Sequence, residues 1–374
     1  MTVVLKEIRT TRQFRQFITF AEAMYRGNPY YVPALVMDEM NTLHPKKNPC
    51  FAHCEARYWL AYQDGHIVGR VAGIFNHKHM EKWNEPYLRF GWLDFVDDLA
   101  VSTALLGAVE NWARELGMEA VHGPLGFTNL DRQGMLVEGF DELGTMATLY
   151  NHPYYPEHLK QLGYIKAVDW VEYELKVEKE PPEKVIRAAE IVLKRKNLRL
   201  LNIRRKGDLV AYAPQLFNLI NEEYSHLYGT VPLSDAEILH YIDAYFGLID
   251  PDFVPIIVNE DDEMVAFGVT IPSLSKALQK SHGRLLPLGW WRLLRALRKN
   301  DRADLYLVAV KKRYQGQGLT LVMMAHIYRI FAEHRITMAE SNPELETNVD
   351  IQGQWKLMEK RQHKRRRVFI KKLN

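Results

Sequence analysis

Apolar and polar positions in the first half of the chain predict a helix, a β-hairpin, a strand, a long helix and a strand, in that order. The helical stretches have apolar residues at helical spacing, and the hairpin has two apolar runs separated by a polar turn. The predicted elements are a helix around Thr11–Met24, strands at Tyr58–Tyr62, Ile67–Phe75 and Leu93–Val96, a helix at Val101–Leu116 and a strand at Ala120–His122.

The second half of the chain repeats this order of elements. An acidic turn, Asn259–Glu263, separates the two strands of its hairpin. The shared order predicts an internal duplication of one architecture. The elements are a helix around Leu209–Tyr228, strands at Val254–Val258, Met264–Ile271 and Leu305–Val310, a helix at Leu319–His334 and a strand at Ile336–Ala339.

A charged segment with a Pro pair, Val177–Glu183, lies near the middle of the 374 residues and is typical of a linker. A chain of this length is too long for one ordinary domain and suits two. We therefore predict two α/β domains with mixed sheets, at residues 1–178 and 179–374.

The composition is that of a globular protein, because 47% of the residues are hydrophobic and 25% are charged. The formal net charge of +3 gives no argument for nucleic-acid binding. Two cysteines, Cys50 and Cys54, indicate a reducing compartment and are interpreted as buried thiols. A metal site of these thiols with His53 and His44 is the disfavoured alternative, since no second ligand pair follows at zinc-like spacing.

No signal-peptide pattern is present at the N-terminus, and no uncharged apolar run is long enough to span a membrane. We therefore expect a cytoplasmic protein.

The segment Leu305–Thr320, LYLVAVKKRYQGQGLT, predicts an anion site. An apolar strand ends at Val310, a polar loop with two glycines follows, and a long helix starts near Leu319. Backbone N–H groups of such a loop converge at a helix N-terminus, and Lys311 and its neighbours add positive charge. A nucleotide P-loop is disfavoured because no Lys-Ser/Thr pair follows the glycines.

The VAVKKRYQGQG motif, between a strand and a helix after a hairpin, resembles the pyrophosphate loop of the GNAT superfamily of acyl-CoA-dependent N-acyltransferases. Lys312 stands where many members have proline. The resemblance implies two tandem GNAT-like domains with acyl-CoA as co-substrate and no metal. It also implies CoA contacts from Val308 and Val310 to the pantetheine arm, and from Arg313, Gln315, Gly316, Gln317, Gly318 and Leu319 to the pyrophosphate.

The equivalent turn of the first half, Val96–Ala100, has two carboxylates and no glycine. Such a turn repels pyrophosphate. We therefore expect one CoA site per chain, in the second domain, and a first domain that has lost its CoA loop.

Acyl transfer to an amine needs a general base and benefits from a proton donor for the leaving thiolate. Glu340, at the end of the strand expected to face the acyl group, and Glu346 are the candidate bases. The family's usual tyrosine on the late helix has no match here. Tyr228 is the candidate donor, with Tyr224 and Tyr154 as alternatives.

A long loop rich in Gly and Pro follows the last clear strand of the first half, from His122 onward, and precedes an aromatic cluster. Long ordered loops on a rigid scaffold often carry function, although this one could equally pack the domains together. The candidate substrate contacts are Asp131, Arg132, Glu138, Tyr154 and Tyr155.

The segment 276–299 contains seven Lys or Arg residues and no acid, and residues 284–299 read as a basic amphipathic helix with a Trp pair. This pattern favours a membrane interface, and the alternative is an ordinary packed helix with a solvated basic face. A second basic cluster, Lys360–Arg367, is interpreted as a CoA-phosphate or lipid-headgroup contact, or as a solvated helix end.

These features together predict an acyl-CoA-dependent N-acyltransferase. The acyl group is expected to be long and the acceptor a lipid amine of sphingoid type at the membrane surface, by similarity to GNAT-like bacterial ceramide synthases. The alternatives are an acetyl or aminoacyl transferase acting on a small soluble or cell-wall amine, and a non-catalytic GNAT-fold ligand-binding protein. No nucleic-acid partner is expected.

Overall fold

The computed structural model describes residues 2–178, 180 and 183–373. Its contacts divide the chain into two units, each discontinuous in sequence. Lys179, Pro181 and Pro182 of the predicted linker lie outside the described residues, and the domain boundary after residue 178 stays a prediction. Unit 1 comprises Met1–Val171, Ser275–Leu293 and His363–Asn374, and unit 2 comprises Glu172–Leu274 and Leu294–Gln362.

The first half of the chain contains the predicted helices and strands. The first helix has the predicted bounds because Thr10 and Gln13 form a capping box at its N-terminus. Its strands are β1 Val4–Glu7, β2 Cys54–Gln63, β3 His66–Asn76, β4 Tyr87–Phe95, β5 Ala120–Gly123, β6 Met135–Glu138 and β7 Ile165–Lys176, and its helices are α1 Thr11–Met24, α2 Val36–Thr42, α3 His77–Trp83, α4 Leu99–Glu115 and α5 Tyr154–Gln161.

The second half also follows the predicted order, with short additional elements. Its strands are β8 Arg199–Leu200, β9 Ile256–Val258, β10 Met264–Pro272, β11 Arg302–Val310, β12 Met338–Ser341, β13 Glu344–Leu345 and β14 Lys360–Lys372, and its helices are α6 Glu183–Lys196, α7 Lys206–Glu223, α8 Asp235–Tyr245, α9 Ser275–Ser281, α10 Gly289–Arg298, α11 Leu319–His334 and α12 Val349–Gly353.

The sheet of unit 1 runs in the order β1-β2-β3-β4-β5-β14. Its last strand comes from the end of the chain, since Phe369 of β14 pairs antiparallel with Gly123 of β5. Helix α4 packs on this sheet through buried apolar residues including Leu105 and Trp112, and Phe369 belongs to the same core. The C-terminal strand therefore completes the sheet of the N-terminal part of the chain.

The sheet of unit 2 runs in the order β7-β12-β11-β10-β9-β8. Strands β11 and β12 are parallel, and the other neighbours are antiparallel. Helix α11 covers this sheet through Leu319, Val322 and Met323, and Ala189 of α6 belongs to the same core. The α/β class with mixed sheets is therefore confirmed.

The basic cluster at residues 360–367 is not a helix end, because it forms the first part of strand β14. Three of its cations bind groups of the protein itself. Lys364 Nζ donates to the Leu143 carbonyl at 2.9 Å, and Arg366 donates to the Leu149 carbonyl. Arg367 binds the buried Asp169 carboxylate at 2.7 Å. These contacts argue against the predicted role as a phosphate or lipid contact.

Candidate functional site

The candidate site of unit 2 is built on the loop between β11 and α11. Gly316 and Gly318 have φ values of +70° and +89°, which residues with a side chain rarely adopt. A Cβ atom at Gly318 would lie 2.9 Å from Cγ2 of Val192 in α6, so this turn also passes close to its neighbour. The two glycines are what allow the chain to enter α11 directly from the loop.

The N-terminus of α11 carries no side-chain cap, because its N-cap residue is Gly318. The first-turn N–H groups of a helix need an external partner, and the helix dipole favours an anion there. The predicted pyrophosphate contacts from Gln315 to Leu319 lie in the loop that leads into this helix N-terminus. This end of the helix thus has the geometry of a phosphate site.

Two carboxylates that the sequence analysis did not single out hold the loop on its other side. Glu263 pairs with Lys311 and with the predicted CoA contact Arg313, and these cations lower the pKa of its carboxyl. Glu223 at the end of α7 accepts from Lys312 N at 2.8 Å and from Gln315 Nε2 at 2.9 Å. The loop is therefore fixed to the hairpin turn and to α7.

Strands β11 and β12 diverge beside this loop. They pair from Arg302–Met338 to Leu305–Ser341, and Asn342 then donates from its backbone to Leu305 O and from its side chain to Tyr306 O, both at 3.0 Å. Beyond Ser341 the register ends, while β11 continues to Val310. We call this opening between the two strands the strand fork.

Tyr224, the C-cap of α7, lies at the strand fork. Its hydroxyl donates to the carbonyl of Val308 at 2.9 Å and accepts from the Val308 N–H at 3.4 Å. Burial raises the pKa of Tyr224 to about 12, and the carboxylate of Glu344 adds to the rise. The predicted pantetheine contact at Val308 is thus held by a phenol that the sequence analysis named only as an alternative proton donor.

Glu344 lies three residues beyond the last pair of β12. Its Oε1 accepts from Trp355 Nε1 at 2.7 Å. Its Oε2 is buried and has no hydrogen-bond partner in the part of the chain that the structure describes. Burial raises the pKa of Glu344 to about 7, although the hydrogen bonds from Trp355 and Ser341 and the charge of Lys360 oppose the rise. The sequence analysis named the neighbouring Glu340 and Glu346 but not Glu344. The sequence around Trp355 does not indicate that its indole binds Glu344.

The predicted catalytic residues all lie in unit 2. Glu340 is 9% exposed and lies inside β12, between Asp304 of β11 and Glu174 of β7. Glu346 is partly buried, and its carbonyl accepts from Gln352 Nε2 at 3.1 Å. Tyr228 is partly buried in the turn after α7. Their catalytic roles stay predictions.

The predicted substrate residues lie in unit 1, where most of them hold the long loop together. The carboxylate of Asp131 accepts from the N–H of Phe127 at 2.7 Å, and burial raises its pKa to about 6. Glu138 pairs with Arg365 at 3.2 Å. Arg132 lies near Tyr31 and opposes the rise in the pKa of that phenol.

Tyr154 and Tyr155 start α5 and anchor it on β4. Tyr154 donates to Phe95 O at 2.6 Å. Tyr155 is fully buried and accepts from Phe95 N at 2.9 Å and from Tyr25. A side chain with no exposed surface cannot reach a substrate, so the predicted contact at Tyr155 is replaced by a structural role.

In unit 1, the turn Val96–Ala100 corresponds to the glycine loop of unit 2, and one of its own side chains caps the helix that follows. Asp98 is the N-cap of α4, and its Oδ1 accepts from Ala100 N at 2.8 Å while its Oδ2 accepts from Gln63 Nε2 at 2.8 Å. A carboxylate of the protein thus takes the position that an external anion would need.

The basic segment forms helices α9 and α10, and the predicted apolar face of α10 is only partly buried. Leu293 packs inward, whereas Trp290 and Trp291 are 49% and 50% exposed and Leu286 is 78% exposed. Leu288 and Leu294 are exposed as well. Among the described residues, no helix combines the length and the apolar character needed to cross a membrane.

No protein-family model matches the chain. Protein YghO of Escherichia coli (strain K12) is 28% identical in an alignment of 368 positions that covers 96% of this chain and 93% of that protein. A bacterial ceramide synthase of Caulobacter vibrioides (strain NA1000 / CB15N) is 27% identical in an alignment of 328 positions that covers 85% of this chain and 84% of that protein.

Two solved structures cover almost the whole chain. A tandem GNAT protein from the clavulanic acid biosynthesis pathway superposes with a TM-score of 0.55 and 10% identity, over 99% of this chain and 98% of that one. A GCN5-related N-acetyltransferase from Sphaerobacter thermophilus gives 0.53 and 10%, over 98% and 95%. The chain therefore has the tandem GNAT fold.

Proposed function

We propose that this chain with the tandem GNAT fold is an acyl-CoA-dependent N-acyltransferase whose unit 2 binds CoA. The observation that carries the proposal is the glycine-capped N-terminus of α11, which a short loop, residues 311–318, joins to β11. The backbone amides from Gln315 to Leu319, with Arg313, would hold the pyrophosphate of CoA. The backbone of β11 at Val308 and Val310 would pair with the pantetheine arm.

The reaction joins the acyl group to an amine nitrogen. The nitrogen attacks the thioester carbon, the C–N bond forms, and the C–S bond breaks with its electron pair staying on sulfur. One proton leaves the nitrogen, and one proton reaches the thiolate. A backbone N–H of β11 near Val308 would stabilise the oxyanion of the tetrahedral intermediate.

CoA binding tests this proposal through two variants at one position. A Cβ atom at Gly316 would meet nothing within 4 Å, so Gly316→Glu and Gly316→Gln suffer the same backbone strain and differ only in charge. In calorimetric titrations with CoA, we expect the Glu variant to bind at least about tenfold more weakly than the Gln variant. Equal affinities would show that the loop is not the phosphate site, and absence of binding by the wild type would favour a non-catalytic protein.

For the acceptor we propose a long-chain amine of sphingoid type, acylated at a membrane surface. The relative named as a bacterial ceramide synthase supports a lipid acceptor. The exposed apolar residues Leu286, Trp290 and Trp291 support a membrane contact, because the surrounding segment 276–299 carries seven cations and no acid. Such a surface suits an anionic leaflet. Cys50 and Cys54 are buried and form no disulfide, which favours the cytoplasmic side.

Acetyl transfer to a small soluble amine is the second candidate, because a solved neighbour that shares the fold is an acetyltransferase. The two candidates differ in the products that mass spectrometry detects. We expect N-acyl sphinganine from palmitoyl-CoA and sphinganine in vesicles, and little product from acetyl-CoA with soluble amines. The reverse result would establish the second candidate.

The membrane contact has its own control. In sedimentation with vesicles that contain anionic lipid, we expect the double variant Trp290→Ser/Trp291→Ser to lose most of the vesicle-bound fraction. Leu239 of α8 is 60% exposed and lies outside the basic segment, so Leu239→Ser should bind like the wild type. Equal binding by both variants would contradict the contact.

A further inference from the structure

We propose that Glu344 accepts the proton that the attacking amine loses. The inference rests on the proposed acyl transfer and adds the residue that performs its proton step.

Glu344 follows the point at which the two central strands of unit 2 separate. Ser341 is the last residue of β12 that pairs with β11, and Asn342 makes the last hydrogen bonds across the fork. Beyond them, one branch leads to Val308 and the other to Glu344. The carboxylate is close enough to Tyr224, which binds Val308, to raise the pKa of its phenol. Tyr224 thus links the two branches, because its hydroxyl binds Val308 and its pKa responds to the charge of Glu344.

The two oxygens of the carboxylate differ in their environment. The indole N–H of Trp355, a residue that is 7% exposed, holds Oε1 at 2.7 Å. No side chain or backbone group among the described residues donates to the buried Oε2. A carboxylate with one oxygen held and the other without a donor is oriented to accept a proton at a defined position.

With Glu344 as the base, every proton in the acyl transfer has a donor and an acceptor. As the C–N bond forms, the N–H proton moves to Oε2, so the carboxylate becomes a carboxylic acid. The C–S bond breaks and the thiolate takes a proton from water or from Tyr224. Release of the Glu344 proton to solvent restores the carboxylate, and Tyr224, where it is the donor, regains its proton from water, so no further reactant is needed.

Glu340 and Glu346 are less well placed for this step. Glu340 lies before the fork, inside β12, where strands flank it on both sides. Glu346 lies two residues further along than Glu344, after the end of β13. Glu344 combines a position in the fork with a buried free oxygen.

The pH dependence of the reaction tests the inference. Among the described residues, Lys360 and Tyr224 interact electrostatically with the carboxylate, and Lys360 also lies 4.7 Å from the ring of Tyr173. For the wild type, we expect kcat/KM to rise with pH through an apparent pKa near 7, because the base must be ionised. Glu344→Gln should lower kcat/KM by at least about 100-fold and abolish this rise, with the CoA affinity unchanged.

Two further variants serve as controls for the Glu344→Gln experiment. Glu333→Gln, on the exposed face of α11, should retain both the rate and the pH profile. Glu344→Asp should recover part of the rate and keep the rising limb, which also covers the case in which the Gln variant does not fold. A Gln variant that turns over like the wild type overturns the inference alone. A wild type that binds no CoA, or acylates no amine, overturns the proposed function and the inference together.

Discussion

At the scale of single residues, Glu344 should destabilise the folded protein at neutral pH. Its pKa is raised from 4.5 to about 7 by burial, so the folded state binds its proton more tightly than the unfolded state does. Stability therefore falls as pH rises between these two values. A shift of this size corresponds to at most about 3 kcal/mol, and water at the partly exposed residue reduces it. Replacing the carboxyl group removes this dependence.

We expect the stability difference between Glu344→Gln and the wild type to shift in favour of the variant by about 1–3 kcal/mol between pH 5 and pH 8. Urea denaturation at both pH values measures the free energies of unfolding. The exposed control Glu333→Gln should show no such shift. A difference that stays constant with pH for Glu344→Gln would mean that this carboxyl titrates normally.

At the scale of helices and strands, the hydrophobic pattern predicted the bounds of a helix wherever a local sequence signal marks the start of that helix. Helices α1 and α11 have the predicted bounds, because a capping box starts the first and Gly318 precedes the second. The cluster at 360–367 was misread, because its partners, such as Asp169 and the carbonyl of Leu143, are far away in sequence. Local charge gave no sign that these cations lie along a strand.

The same limit applies to the candidate site. The loop at Gly316–Gly318 could be read from the sequence, because strand, glycines and helix are consecutive. The pairs Tyr224–Val308 and Trp355–Glu344 could not, because each joins two elements that only the fold brings together. Burial of one carboxylate oxygen depends on the same packing and has no counterpart in the local pattern.

A comparison of two helix N-termini explains why the proposed CoA site lies in unit 2. Asp98 supplies a carboxylate to the N-terminus of α4, whereas Gly318 supplies no side chain to that of α11. A capping carboxylate satisfies the N–H groups and repels phosphate. The sequence showed this difference directly, as two acids in one turn and two glycines in the other.

At the scale of the whole molecule, chain order and unit membership differ. Unit 1 includes Ser275–Leu293, where Gly283 O accepts from Val36 N at 2.9 Å and Gln279 Nε2 donates to Pro29 O at 2.8 Å. It also includes most of β14, which pairs with β5 and β6. Residues 1–178 alone would thus lack a strand of their own sheet, and the core of unit 1 would lose Phe369.

We therefore expect a fragment of residues 1–178 to show no cooperative unfolding transition by circular dichroism. An unpaired edge at β5 and an uncovered apolar core favour aggregation over folding. The matched control is the same fragment with residues 360–373 attached through a flexible Gly/Ser linker, which should regain part of the transition because the missing strand is restored. Cooperative unfolding of the unextended fragment near the midpoint of the full chain would instead establish residue 178 as the end of an autonomous domain.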